Sequence, residues 1–260
     1  MNQSPASKIL GVIVFAVMFF VGFTFVRNRN STTDLVYKGR TLSVDEAKKA
    51  MTEIKELTTA LSQETLEIGE IKTPTTTELS TDFKAMMLLT KTVEDKFAKD
   101  TEGIDVTNML SAEKLASDGG RATTHKDLNR FTTALKEYET GTKGNVERIQ
   151  GFLSNIRTTS GQAAPSRLSE GRVLLDAMFS SFYEFLNSAS GIVDHCDKAK
   201  PRLVSGSLSF GGPDLEKYNA LNSAHEKGAE KLNAAATKFM SFQQESMAKA
   251  TESFKKMPLN

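Results

Sequence analysis

Asp194-His195-Cys196-Asp197 is the densest run of proton-transferring, nucleophilic and metal-ligating side chains in this chain. Two carboxylates beside an imidazole and a thiol are ingredients of a metal centre, or of a cysteine nucleophile with its base. The spacing argues against both. The surrounding pattern is helical, and consecutive helical residues point in different directions, so four in a row cannot converge on one ion or one substrate atom. Cys196 is the single cysteine, which excludes an intramolecular disulfide and a cysteine zinc site. It falls on an apolar stripe, where a thiol packs rather than reacts. His125 and His225 complete the histidines; no two are spaced i, i+4, and His225 reads as a hydrogen-bonded core residue. Ser-x-x-Lys occurs at Ser111/Lys114, Ser246/Lys249 and Ser253/Lys256, without the companion motifs of serine acyl-enzymes. Phosphate-binding loops, nucleophile elbows and dinucleotide fingerprints are missing. The expectation is a protein that is not an enzyme, with no catalytic residue, metal site or cofactor.

The elements that would position these groups read as helices. Ser43 with Glu46 three residues on has the form of a capping box. Ala47, Met51, Ile54, Leu57, Leu61 and Ile68 then recur every three or four positions. Pro74 and Thr75–Thr77 break that pattern, and a second helix follows with Leu79, Phe83, Met86, Met87, Val93 and Phe97. The Gly103 region and the Gly119-Gly120 pair bracket a short helix, with the glycines read as helix-ending residues. The next helix carries Leu128 through Ile156, weakened in its middle by Gly141 and Gly144. After Pro165, Leu168, Leu175, Met178, Phe182, Phe185, Ala189, Ile192 and Cys196 form a heptad-like stripe. A last helix opens at Pro213-Asp214 and places Leu215, Tyr218, His225, Leu232 and Phe239 along one face. No alternating run is long enough to require a sheet.

Ile9 to Val26 is eighteen residues without a charge. At ~1.5 Å per residue it covers about 27 Å, close to the ~30 Å apolar thickness of a bilayer. Arg27 follows Phe25 and Val26 directly, with none of the small residues of a signal cleavage site. The reading is an uncleaved, single-pass anchor that contacts the lipid bilayer through Ile9 to Val26. The fold class expected is therefore all-α, an N-terminal transmembrane helix followed by an elongated antiparallel bundle of four or five long helices. Residues 1–27 form the tail and anchor, 28–42 a polar linker and 43–260 the helical domain. A net charge of +1 argues against nucleic acid as a partner. Arg27, Arg29, Lys38 and Arg40 after the span, against Lys8 before it, lean towards a cytoplasmic domain.

Lys198 to Gly212 departs from the helical pattern, with Leu203, Leu208 and Phe210 set among small residues. It reads as a short hairpin or an ordered loop folded over the bundle. Gly206-x-Leu208-x-Phe210, Pro213, Tyr218-Asn219-x-Leu221 and His225 resemble a segment of a helical family of enterobacterial envelope lipoproteins of unknown function. The lipidation cysteine of those proteins is replaced here by a membrane span. The resemblance implies an inner-membrane protein with a periplasmic domain, and no catalytic residues.

The functional expectation is a membrane-anchored binding or assembly module of the bacterial cell envelope, its partner another envelope or membrane protein. The alternative is a sensory domain that binds a small ligand between bundle helices and signals through a partner. The residues picked for partner contact are Leu203, Leu208, Phe210, Tyr218 and Phe242: apolar side chains in a loop, a tyrosine one turn into the next helix, and an aromatic further along it. The competing structural reading makes Phe210 a plug at the bundle end and Phe242 a core residue.

Overall fold

The computed structural model describes residues 35–62, 74–158 and 168–255. Helix makes up 79% of it. Ile9 to Val26, read as the membrane anchor, and Ile68 and Pro165 lie outside the described residues. Among the described residues no helix is long and apolar enough to cross a membrane.

The helices are α1 (Val44–Ser62), α2 (Glu78–Asp100), α3 (Ala112–Ala116), α4 (Asp118–Ser154), α5 (Leu168–Ala199) and α6 (Gly212–Lys255). Among the described residues five short strands accompany them: β1 (Leu35–Tyr37), β2 (Arg40–Thr41), β3 (Ile156–Thr158), β4 (Arg202–Val204) and β5 (Ser207–Ser209). The first three form an antiparallel sheet in the order β2-β1-β3, and the last two form a hairpin. The β4–β5 hairpin lies where the sequence offered a short hairpin or an ordered loop, whereas the strands of the sheet, two or three residues long, are too short to show a period-2 pattern and were not announced. Residues 35–42, read as the end of a linker, are strand and turn, with Tyr37 and Leu42 buried. The chain divides into two compact units. Among the described residues one takes 35–62, 74–96, 140–158, 168–173 and 239–255; the other takes Phe97–Glu139 and Leu174–Lys238.

In the first unit, the expected capping box starts α1. The Ser43 amide donates to the Glu46 carboxylate at 3.0 Å and the Glu46 amide donates to Ser43 Oγ at 3.2 Å, so two orphan donors are met reciprocally. Ala50, Ile54 and Leu57 are the buried face of α1. Glu53 is also buried, and it holds the start of α2. Its carboxylate accepts from Thr76 Oγ1 at 2.5 Å, from the Thr76 and Thr77 amides at 3.2 and 3.3 Å, and from the Ser80 hydroxyl. Thr77 in turn caps α2 by accepting from the Ser80 amide at 3.2 Å. Tyr37 packs against Phe152 with ring centres 5.8 Å apart. Its hydroxyl donates to Asp82 at 2.6 Å, and Asp82 also pairs with Lys38 at 2.7 Å.

In the second unit, contacts run in opposite directions along successive helices. Between α4 and α5, Arg121 meets Asp197, Phe131 stacks on Phe182 at 6.1 Å, and Tyr138 lies 6.0 Å from Phe179. Between α5 and α6, Ser188 Oγ lies 2.8 Å from His225 Nδ1, and Lys231 pairs with Glu184 at 2.9 Å. Both pairs of helices are therefore antiparallel within this unit. The α5 stripe is buried at Leu175, Met178, Phe182, Ala189, Ile192 and Cys196, joined by Phe179, Leu186 and Val193. Gly120 is not a helix stop, contrary to the sequence reading. It sits in the first turn of α4, where a Cβ would fall 2.2 Å from the Lys114 carbonyl oxygen, so a bare Cα lets α3 and α4 close on each other.

Candidate functional site

One end of the second unit gathers α3, the start of α4, the end of α5, the hairpin and the start of α6. The hairpin pairs Arg202 with Ser209, Leu203 with Leu208 and Val204 with Ser207. Ser205 and Gly206 both have positive φ, 50° and 79°, the requirement of a two-residue type I′ turn. That conformation fits the right-handed strand twist, and Gly206 adopts it without strain. Helix α3 packs against both strands. Lys200, also at positive φ (46°), ends α5 by donating its amide to the Cys196 carbonyl at 2.8 Å.

Arg121, in the first turn of α4, is 2% exposed. Its Nε donates to Asp197 Oδ1 at 2.7 Å, one Nη donates to the Leu115 carbonyl at 2.8 Å, and the other pairs with Asp118. The planar fork thus ties α3, α4 and α5 together. The second oxygen of Asp197 lies 2.7 Å from His125 Nε2, and Asp194 stands 3.7 Å from the same nitrogen. Burial would raise the Asp197 carboxyl, but hydrogen bonds from Arg121 and His125 outweigh it and hold the group below its ordinary value. Burial pushes the Cys196 thiol up to about 11, which keeps it protonated and inert near neutral pH. His195 Nε2–H donates to the Asp214 carbonyl at 2.9 Å. Asp194-His195-Cys196-Asp197 accordingly does not converge: Asp194 and Asp197 face His125, His195 faces the start of α6, and Cys196 is in the core.

The residues picked for partner contact separate into two groups. Phe210 and Tyr218 come together, stacked at 4.6 Å with planes 29° apart, and His195 covers Phe210 from 5.8 Å. Both are half-buried, as is Leu208, whereas Leu203 is 45% exposed. Phe242 is not with them. It belongs to the first unit, is 6% exposed, and its ring lies 3.0 Å from the position a Cβ would take on Gly171. Such a ring cannot be offered to a partner without unpacking that unit's core, so the core reading of Phe242 prevails.

Two exposed side chains were missed. Val204 is 54% exposed beside the turn, and Leu215 is 44% exposed in the first turn of α6, although the sequence places it on that helix's apolar face. The type I′ turn was the available signal for Val204, because it puts the adjoining strand residues at an exposed tip. Arg121 had no local signal, since its partner Asp197 lies 76 positions away. No protein-family model, curated protein or solved structure matches the chain.

Proposed function

We propose that this chain is a membrane-anchored, non-enzymatic binding or assembly module of the cell envelope whose contact surface is the hairpin end of the second unit. In this reading Ile9 to Val26 holds the protein in the inner membrane, the helices form an antiparallel bundle on its periplasmic side, and Leu203, Val204, Leu208, Phe210, Tyr218 and Leu215 provide the contact. The observation that carries it is where apolar surface is exposed. Of six large aliphatic side chains exposed among the described residues, three (Leu203, Val204 and Leu215) fall within the hairpin and the turn of helix that follows. Clustered exposed aliphatic side chains mark contact surfaces more often than single ones do. The neighbouring groups of a kind that does chemistry are engaged: Arg121 with Asp118, Asp197 and Leu115, His125 with Asp197, His195 with Asp214, and Cys196 in the core.

Val204→Cys tests the contact surface. In native membranes its reaction with a membrane-impermeant maleimide is expected to be several-fold slower than in the purified, detergent-solubilised protein; equal rates would refute the reading. Reporter fusions at the C-terminus, one active only in the cytoplasm and one only in the periplasm, test the sidedness.

A further inference from the structure

We infer that the hairpin is a lipid-contacting tip that settles into the headgroup region of an anionic bilayer, with Leu203 and Val204 below the phosphates and Lys198, Lys200 and Arg202 among them. This rests on the hairpin being the contact surface and names its occupant.

Leu203 and Val204 are consecutive strand residues, and successive strand side chains point to opposite faces. Both are nonetheless exposed, at 45% and 54%. A protein partner laid against one face of the hairpin covers only one of them. Immersion of the tip in a fluid apolar medium covers both.

Residues 198–213 contain three cations and no carboxylate, and Lys198, Lys200 and Arg202 are all exposed. Of the acidic groups just before them, Asp197 is paired with Arg121 and hydrogen-bonded to His125, and Asp194 stands 3.7 Å from the same His125 nitrogen. Asp214, Glu216 and Lys217, next along the chain, together add one negative charge, so the segment stays net positive. At ~3.3 Å per strand residue Arg202 stands about 3 Å up the chain from Leu203, and Lys200 lies two residues further back, where α5 ends. That suits side chains reaching phosphates while the Ser205-Gly206 turn and the flanking Leu203 and Val204 sit about 5–10 Å into the interface.

The tip is formed in advance by the Ser205-Gly206 turn, by α3 behind both strands, and by Phe210 held between His195 and Tyr218. Entering lipid then requires little ordering of the chain.

The full-length Val204→Cys protein, labelled with an environment-sensitive fluorophore, tests this; buried Cys196 stays unlabelled, and the unsubstituted chain serves as control. It is reconstituted into proteoliposomes of phosphatidylcholine alone or mixed with phosphatidylglycerol. The expected result is a blue-shifted emission, quenched by acyl-brominated lipid, only where phosphatidylglycerol is present. Lys200→Gln with Arg202→Gln should weaken that partition on the order of 30-fold. Emission unchanged from water in both mixtures, or an equal shift in phosphatidylcholine alone, overturns the inference. If the tip is wet in proteoliposomes yet protected from maleimide in native membranes, a protein is the occupant, and the contact surface stands without the lipid. If it is unprotected in native membranes as well, both readings fall.

Discussion

Asp197 divides its carboxylate between two residues of α4, taking Arg121 Nε on Oδ1 and His125 Nε2 on Oδ2, each at 2.7 Å. Arg121 is 2% exposed, whereas the Asp197 and Asp118 side chains are 44% and 86% exposed. The two ends of the cluster should therefore respond unequally. Removing the cation leaves its carboxylates in water and strands mainly the Leu115 carbonyl; removing Asp197 leaves a buried guanidinium with one partner fewer. Arg121→Met is expected to cost about 2 kcal/mol and Asp197→Ala about 3 kcal/mol. Urea unfolding followed by circular dichroism gives the order, and the reverse order would show that Asp118 alone is sufficient for Arg121.

Glu53 makes a prediction about pH. Burial would raise its carboxyl, but the Ser80 and Thr76 hydroxyls and the Thr76 and Thr77 amides overcome that and bring it down to about 2. A carboxylate depressed in the folded state contributes stability above its unfolded value, near 4.5, and loses it as pH falls towards 2. The span corresponds to about 3 kcal/mol. Glu53→Gln should be less stable than the parent at neutral pH, and the two should converge in melting temperature between about pH 4.5 and 2. A constant gap across that window would exclude the ionised form as the cap.

Two glycines of α4 should give opposite signs. A Cβ on Gly141 would meet both Val93 methyl carbons at 2.8 Å, while one on Gly144 meets nothing within 4 Å. Gly144→Ala is expected to stabilise by about 0.5–1 kcal/mol through helix propensity. Gly141→Ala gains the same propensity but must displace a β-branched neighbour with a stiff χ1, for a net loss of about 1 kcal/mol. Thermal melts of the two variants are sufficient; equal gains would mean that Val93 turns aside freely.

Phe210→Ser should lower stability by about 1–2 kcal/mol, less than a fully buried aromatic, because the ring is half-buried between His195 and Tyr218. Leu203→Ser at 45% exposure should leave the melting temperature within about a degree. A large drop for Leu203→Ser would move that side chain from contact surface to core.

Local signals in the sequence were enough for the helices, because capping and the 3.6-residue period are properties of a short stretch of chain. Ser43 with Glu46 announced the start of α1, and the stripe from Leu175 to Cys196 named the buried face of α5. The same stripe predicted that Cys196 would pack rather than react, and the directions of consecutive helical residues predicted that Asp194 to Asp197 would not converge. Tertiary structure decided what periodicity leaves open, namely which apolar face another element covers. Leu215 and Phe242 belong to the same long helix, yet one is 44% exposed and the other 6%. It also decided the pairs whose partners lie far apart in sequence: Glu53 with Ser80, Arg121 with Asp197, and β1 with β3. A buried charge or a three-residue strand carries no local pattern naming its partner. Those pairings exist only once the folded chain brings donor and acceptor into the same place.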